Sequence, residues 1–376
     1  MSCRFVVLTA LALGMLSGPA WGQPKVLGKT QAEWIKILEE HKETRFRRAA
    51  VLALKSEEFA RTPELKAALT QAMTSDKEPE VRREVAAALG DFKGEAKDMI
   101  DALAQRLEKD DNAKVREAAA RSLGRLAEFA GIHVPRLGQA LKDADPATRT
   151  AAAEALIAFG DKAREVFPQL TEAALDPKNE VFMRIYAVRI LAKHSARGDK
   201  TAEVLATILS EKSAALDLRQ MTATALGLLG PQGLAGVAAL AQAFEDDRPG
   251  EKQDKDQFQE LRRTAGAALG KVGPKAVAAL PAVVKVMHDP DVALRAQAVR
   301  LTGVFGKDNA EVATHLVQLL KEERNAEVLV AVIQESAELG IQPAVEQLTA
   351  LAEDPRMTIR DAARVSLKKL MGGEKK

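Results

Sequence analysis

A motif that recurs every 33–35 residues runs along almost the whole chain, and it leaves few folds open. The pattern apolar-Arg-x-x-Ala-x-x-x-Leu, often closed by Gly, stands at Phe46-Arg47 to Leu54, Val81-Arg82 to Gly90 and Val115-Arg116 to Gly124, and continues at Arg149, Arg184, Arg219, Arg262, Arg295 and Arg360. Successive anchor arginines are 35, 34, 33, 35, 35, 43 and 33 residues apart up to Arg295, and the stretch to Arg360 divides into 34 and 31 at Leu329, a copy whose arginine has become leucine. Self-similarity at such a period is the signature of stacked repeats.

Each copy holds two apolar-periodic stretches of about a dozen residues, so one repeat is a helical hairpin. In the second helix the apolar positions are expected at −1, +2, +3 and +7 from the anchor, one face of a 3.6-residue helix. In the first helix, Met99-Ile-Asp-Ala-Leu-Ala-Gln-Arg-Leu107 and Val134-Pro-Arg-Leu-Gly-Gln-Ala-Leu141 give a similar stripe. A hairpin of this size cannot bury its apolar face alone, so neighbours must stack into a continuous core. Composition agrees: 47% of residues are hydrophobic but only 4% aromatic, which suits close-packed helices of Ala, Leu and Val rather than a sandwich or barrel.

Punctuation falls at the same phase in most copies. Gly90, Gly124, Gly160, Gly227, Gly270 and Gly340 are expected to close second helices in a left-handed conformation. Asp145-Pro146, Asp176-Pro177, Asp289-Pro290 and Asp354-Pro355 mark the turn inside the hairpin. Thr30-Gln-Ala-Glu33 fits a capping box, so the first helix is expected to start near Gln31 and to carry Trp34.

Residues 1–22 read as a secretory signal peptide. Arg4 precedes a 12-residue apolar run over 5–16, and the small residues Ala20 and Gly22 stand before Gln23. The run is well short of the roughly 20 residues a membrane-spanning helix needs, so no stable membrane insertion is expected. Cleavage after Gly22 would export the protein to the periplasm or beyond and remove Cys3, the only cysteine, which already excludes an internal disulfide and a cysteine-built zinc site. The expected organisation is then a short linker at 23–30, a repeat array over 31–371 with an inserted loop at 245–256, and a disordered tail at 372–376.

The repeated residues resemble the HEAT repeat, most closely the short kind described as phycobilisome-lyase HEAT-like, over roughly residues 31 to 371. The resemblance implies an all-α fold, an α-solenoid or superhelix of about ten two-helix repeats. As to function it implies little, because such repeats look alike in scaffolds, adaptors, transport receptors and a few enzymes.

Six residues before an anchor arginine stand Asp76, Asp110, Asp143, Asp256, Asp289 and Asp354. An aspartate at the inter-helix turn can accept from helix N-terminal amides and from a neighbouring arginine. These six are therefore read, with Arg82, Arg116, Arg149, Arg262, Arg295 and Arg360, as a structural ladder rather than a row of metal ligands. Positions +1 and +5 lie off the apolar stripe and hold Arg48, Arg83, Arg121, Arg189, Arg263 and Arg300 against Glu117, Glu154 and Asp361. In HEAT-like folds that surface tends to line the concave side, so these arginines are the candidate contact face for a protein or peptide partner, an acidic one in particular. Nucleic acid is disfavoured by the net charge of +2 and the shortage of aromatics for stacking.

The acidic run at 245–256 is read as an exposed loop, since Pro249, Lys252 and Lys255 spoil the ligand alternation of a calcium loop. His41, His133, His194, His288 and His315 are scattered over different repeats, and none makes a His-x-x-x-His pair. HEAT-like deoxyhypusine hydroxylases carry repeated His-Glu pairs as di-iron ligands, and no His-Glu dipeptide occurs here. Neither a P-loop nor a Gly-x-Ser-x-Gly elbow is present. The expectation is an exported, non-enzymatic scaffold with no cofactor that binds protein through its concave face. The alternatives are an enzyme or enzyme subunit resembling the bilin lyases or HEAT-like metal hydroxylases, and a structural spacer of the cell envelope.

Overall fold

The computed structural model describes residues 24–92, 97–195, 200–247 and 254–372. The expected signal peptide with Cys3, residues 248–253 of the insertion and 373–376 of the tail lie outside them. Among the described residues there are twenty α-helices, and extended pairing is limited to one isolated bridge between Val26 and Lys29. The chain forms two compact units that divide at residues 122 and 123.

The first unit contains the hairpins α1 (Gln31–Glu40) with α2 (Thr44–Leu54) and α3 (Pro63–Ser75) with α4 (Pro79–Leu89), then α5 (Lys97–Lys109) and most of α6 (Ala113–Arg125). The second contains α7 (Val134–Ala140) with α8 (Pro146–Ile157), α9 (Phe167–Leu175) with α10 (Val181–His194), α11 (Thr201–Ser210) with α12 (Leu216–Leu228), and α13 (Val237–Glu245) with α14 (Lys255–Val272). It continues with α15 (Leu280–Val286) and α16 (Val292–Phe305), α17 (Ala310–Glu322) and α18 (Ala326–Glu338), and α19 (Val345–Leu351) and α20 (Met357–Gly372). In the second unit each second helix from α8 to α20 packs on its own first helix and on the neighbouring second helix, and α2 and α4 pack in the same way in the first unit, which is the architecture of an all-α solenoid.

The apolar stripe differs in detail from the sequence reading. The buried positions of a second helix are −1, +3, +4 and +7, as Val81, Val85, Ala86 and Leu89 show, whereas Glu84, Met221 and Gln297 at +2 are only half-buried. Position +2 lies at the seam with the preceding second helix, where Gln297 Nε2 donates to the Arg263 carbonyl at 2.9 Å. Polar side chains are therefore tolerated there.

The glycines also divide into two kinds. Gly160 and Gly340 do adopt positive φ, but Gly90 stays right-handed, and Gly124, Gly227 and Gly270 lie inside their helices. Left-handed exits occur three residues later, at Gly230 and Gly273. Gly124 serves packing instead: a Cβ there would come within 2.8 Å of Ala155 Cα on the neighbouring helix.

At the front, Thr30 and Glu33 form a reciprocal capping box on α1. Residues 24–30 are tied down rather than loose, since Trp34 Nε1 donates to the Val26 carbonyl at 2.9 Å and Trp34 itself is buried. Thr30→Ala is expected to cost about 1 kcal/mol at this helix. Amide exchange should then accelerate in α1 while α3 and α4 keep their protection.

The insertion moves a ladder position. Asp254, not a loop residue further upstream, caps α14 and accepts from the amides of Asp256 and Gln257. Asp256 thus sits exposed in the first turn of an extended helix, and the residue that closes α13 is Asp246, whose carboxylate lies 3.3 Å from Lys212 Nζ.

Candidate functional site

The anchor arginines enter the first turn of their second helices, except Arg262, which lies about one turn deeper in the extended α14, and most of them bind in two directions. Arg47, Arg82, Arg149 and Arg295 donate through Nη1 to the two carbonyls of their own turn: His41 and Lys42, Asp76 and Lys77, Asp143 and Ala144, Asp289 and Pro290. Through Nε and Nη2 the same four grip the carboxylate of the next hairpin: Asp76 at 2.7 and 3.0 Å, Asp110 at 2.8 and 2.8 Å, Glu180 at 3.3 and 2.6 Å, and Glu323 at 2.8 and 3.2 Å. Bidentate forks of this kind suit the planar guanidinium and would be lost with lysine.

Arg184, Arg219 and Arg262 sit deeper. Their Nε groups donate to the last-turn carbonyls of their own first helices, Ala174, Leu209 and Phe244, at 2.9, 3.2 and 3.0 Å. Arg184 then reaches Glu211 at 2.7 Å and Arg262 reaches Asp289. Burial pushes the Arg219 guanidinium below its usual pKa, and the charge of Asp246 works against that shift.

The carboxylates do double duty, since Asp76, Asp110, Asp143, Asp289 and Asp354 each accept from the amide two residues on. Burial alone would raise the Asp110 carboxyl, but the Arg82 guanidinium and the Asn112 amide outweigh it and hold it below its ordinary value. Arg116 and Arg360 donate to the carbonyls of Asp110 and Asp354 in their own turns. With Leu329 in place of an arginine, the Asp354 carboxylate accepts from the Arg356 guanidinium at 2.9 Å, and this contact, then the bond from the Arg356 amide, takes its pKa down to about 2.

Sequence counting missed three of the carboxylates. Glu323 keeps the −6 register before Leu329 and differs only in being glutamate. Glu180 and Glu211 stand four and eight residues before Arg184 and Arg219, so no fixed offset finds them.

The arginines off the stripe do not form the bare cationic face that their number suggests. Arg48 contacts Glu80 at 3.1 Å, Arg83 contacts Glu84 at 2.6 Å, Arg121 contacts Glu117 at 3.2 Å, Arg263 lies 3.8 Å from Glu260 and Arg300 lies 3.5 Å from Glu327. Glu84 is the next residue after Arg83, Glu117 and Glu260 sit one turn away on the same helix, and Glu80 and Glu327 lie on the adjacent repeat. Arg189 differs: among the described residues it has no hydrogen bond or ion pair. It lines a cavity of about 430 Å³ near the C-terminal ends of α8, α10 and α12, together with Ile157, Ile190, Lys193, Met221 and Leu228. Leu228 is 66% exposed, so an apolar wall faces solvent beside two cations. At the same edge His194 Nδ1 lies 3.0 Å from Asp161 Oδ1, and this contact, then Arg164, holds the Asp161 carboxyl below its usual range.

Among the described residues no three His, Cys, Asp or Glu side chains gather as a metal-ligand group, and no described helix is long and apolar enough to cross a membrane.

Solved structures with this architecture include the karyopherin Kap121p bound to the extreme C-terminus of the protein phosphatase Cdc14p, at 12% identity and a TM-score of 0.54, with 90% of this chain and 45% of that one covered. Importin beta is similar at 14% identity and a TM-score of 0.51, covering 90% of this chain and 57% of its own. The chain thus spans about half the length of these structures, and at such identities the likeness concerns the fold alone. No curated protein matches in sequence. The model of HEAT repeats matches residues 32–124, 100–185 and 251–334, and on these repeats the chain belongs to the HEAT repeat family.

Proposed function

We propose that this protein is an exported, non-enzymatic scaffold that binds an acidic protein segment on its second-helix surface. HEAT solenoids are typical of protein-interaction scaffolds, and the Kap121p structures hold Nup53p and a Cdc14p C-terminus. The observation that carries the reading is the cavity at Arg189. Its free guanidinium and the Lys193 ammonium stand beside Ile157, Ile190, Met221 and Leu228. The complementary ligand is a segment that presents an apolar side chain next to a carboxylate, so that burial supplies affinity and the charges supply register. The buried arginines and carboxylates, by contrast, are engaged in holding hairpins together. Export rests on residues 1–22, and N-terminal sequencing of protein from the envelope or medium should begin at Gln23.

The test is binding of labelled peptides that carry a Leu-Asp or Phe-Glu centre, measured by fluorescence anisotropy at two salt concentrations. Arg189→Glu is expected to weaken binding about tenfold or more and to flatten the salt dependence. Arg300→Gln should change it less than about twofold, because that guanidinium already faces Glu327. Equal binding by wild type and Arg189→Glu would overturn the assignment of this surface.

A further inference from the structure

His288 and His315 lie 27 residues apart, yet their side chains meet. His288 follows α15 in the turn before Asp289, where its amide donates to the Lys285 carbonyl at 3.2 Å. His315 lies on α17 in the next hairpin. Nε2 of His288 is 3.2 Å from Nδ1 of His315, with ring centroids 5.3 Å apart and planes inclined at 63°.

Two imidazole nitrogens that face one another so closely can share a proton or share a cation. A zinc–imidazole bond of about 2.0–2.1 Å at tetrahedral angles sets two ligand nitrogens about 3.3 Å apart. The observed separation is therefore that of neighbouring ligands, and modest rotation of the rings brings both lone pairs onto one point. His288 is exposed, which leaves an ion free to enter and solvent free to complete its shell. Glu322 stands two helical turns beyond His315 on the same face of α17, held by Gln318 Nε2 at 3.2 and 3.1 Å. Its negative charge reaches His288. An imidazole binds a metal through the lone pair of its neutral form.

We propose that His288 and His315 form a two-imidazole site for a borderline divalent cation of the zinc or nickel type, open to solvent and joining the hairpins α15–α16 and α17–α18. Imidazole prefers such ions over magnesium or calcium. The remaining coordination positions belong to water, with Glu322 supplying charge nearby. A single histidine elsewhere on the surface offers one ligand only, so the pair is distinguished by its chelate effect.

The experiment is calorimetric titration of the full chain at pH 7.5 with nickel chloride, and separately with zinc chloride, in a buffer free of chelators. One equivalent is expected to bind about a hundredfold more tightly to wild type than to His288→Gln or His315→Gln, with the double variant at least as weak as either single one. Wild-type affinity in either single variant, or the absence of a site in wild type tighter than in the variants, would overturn the proposal. As a check that needs no substitution, one equivalent of copper(II) bound to wild type should show coupling to two imidazole nitrogens by electron paramagnetic resonance. Coupling to one nitrogen counts against the site.

Discussion

Arg262→Ala is expected to destabilise the second unit by about 3–5 kcal/mol, because it leaves a carboxylate buried without its counter-charge. The Arg262 side chain is 2% exposed and that of Asp289 is 6% exposed. Three acceptors lose their donor at once: the Phe244 carbonyl, the Gln259 amide oxygen and the Asp289 carboxylate. The Asp289 carboxylate keeps, among the described residues, only its bond from the Asp291 amide. Arg262→Lys should recover part of the loss, since an ammonium restores charge but not the fork. Arg300→Ala, which breaks an exposed pair, should stay within about 0.5 kcal/mol of wild type. Urea denaturation gives these differences, and amide exchange should place the Arg262→Ala lesion in α13 to α16. A loss under about 1 kcal/mol would mean that water replaces the guanidinium and that the ladder is not a stabilising element.

Glu335 should make the protein less stable at neutral pH than at pH 5. It occupies position +6 of α18, where other second helices carry Ala53, Ala88 or Ala155, and its carboxyl packs against Gly303 of α16. Burial, then the nearby Glu338, raises its pKa from 4.5 to about 7, while Arg300 and Lys369 act the other way. A carboxylate raised on folding favours the native state while it is protonated. The unfolded chain gives up that proton from about pH 4.5 upward, so stability falls between pH 4.5 and 7 and is level above. With part of the group open to solvent, the span is about 2 kcal/mol. Glu335→Ala should remove this slope and leave the protein more stable than wild type at pH 8 by a similar amount. Asp110 and Glu323 are held low by Arg82 and Arg295, so they titrate below this window. Thermal unfolding of both proteins at pH 5, 6, 7 and 8 measures the effect, and an unchanged slope in Glu335→Ala would assign the dependence to another group.

Most of the architecture was legible because it repeats. A period of 33–35 residues, an arginine at one phase and an aspartate six residues earlier are enough to place helices, turns and stacking without any single position being decisive. What escaped the reading depends on distance in space. Two of the second-helix arginines find their carboxylates on the adjacent repeat, Glu80 for Arg48 and Glu327 for Arg300, some 27–32 residues away and outside any local spacing rule. The free character of Arg189 is equally invisible, since it is the lack of a neighbour. His288 and His315 belong to different helices, so the search for His-x-x-x-His spacing within one helix could not find them. Asp256 was misplaced for a different reason: the longer sixth interval shifts the turn ten residues upstream to Asp246, and a fixed offset follows the helix instead.

The leucine at 329 has a mechanical consequence. From Arg262 through Asp289, Arg295 and Glu323, tension applied along the second unit passes from one hairpin turn to the next through charged links. At Leu329 the relay stops, and the last hairpin is joined at this level by the exposed bond from Arg356 to the Arg324 carbonyl at 3.2 Å. Because each repeat leans only on its neighbours, a pull on the C-terminus should peel α19 and α20 away at low force before the remaining hairpins yield. Without that arginine the junction before α19 and α20 is expected to be a weak seam, a place where the protein can give way without coming apart.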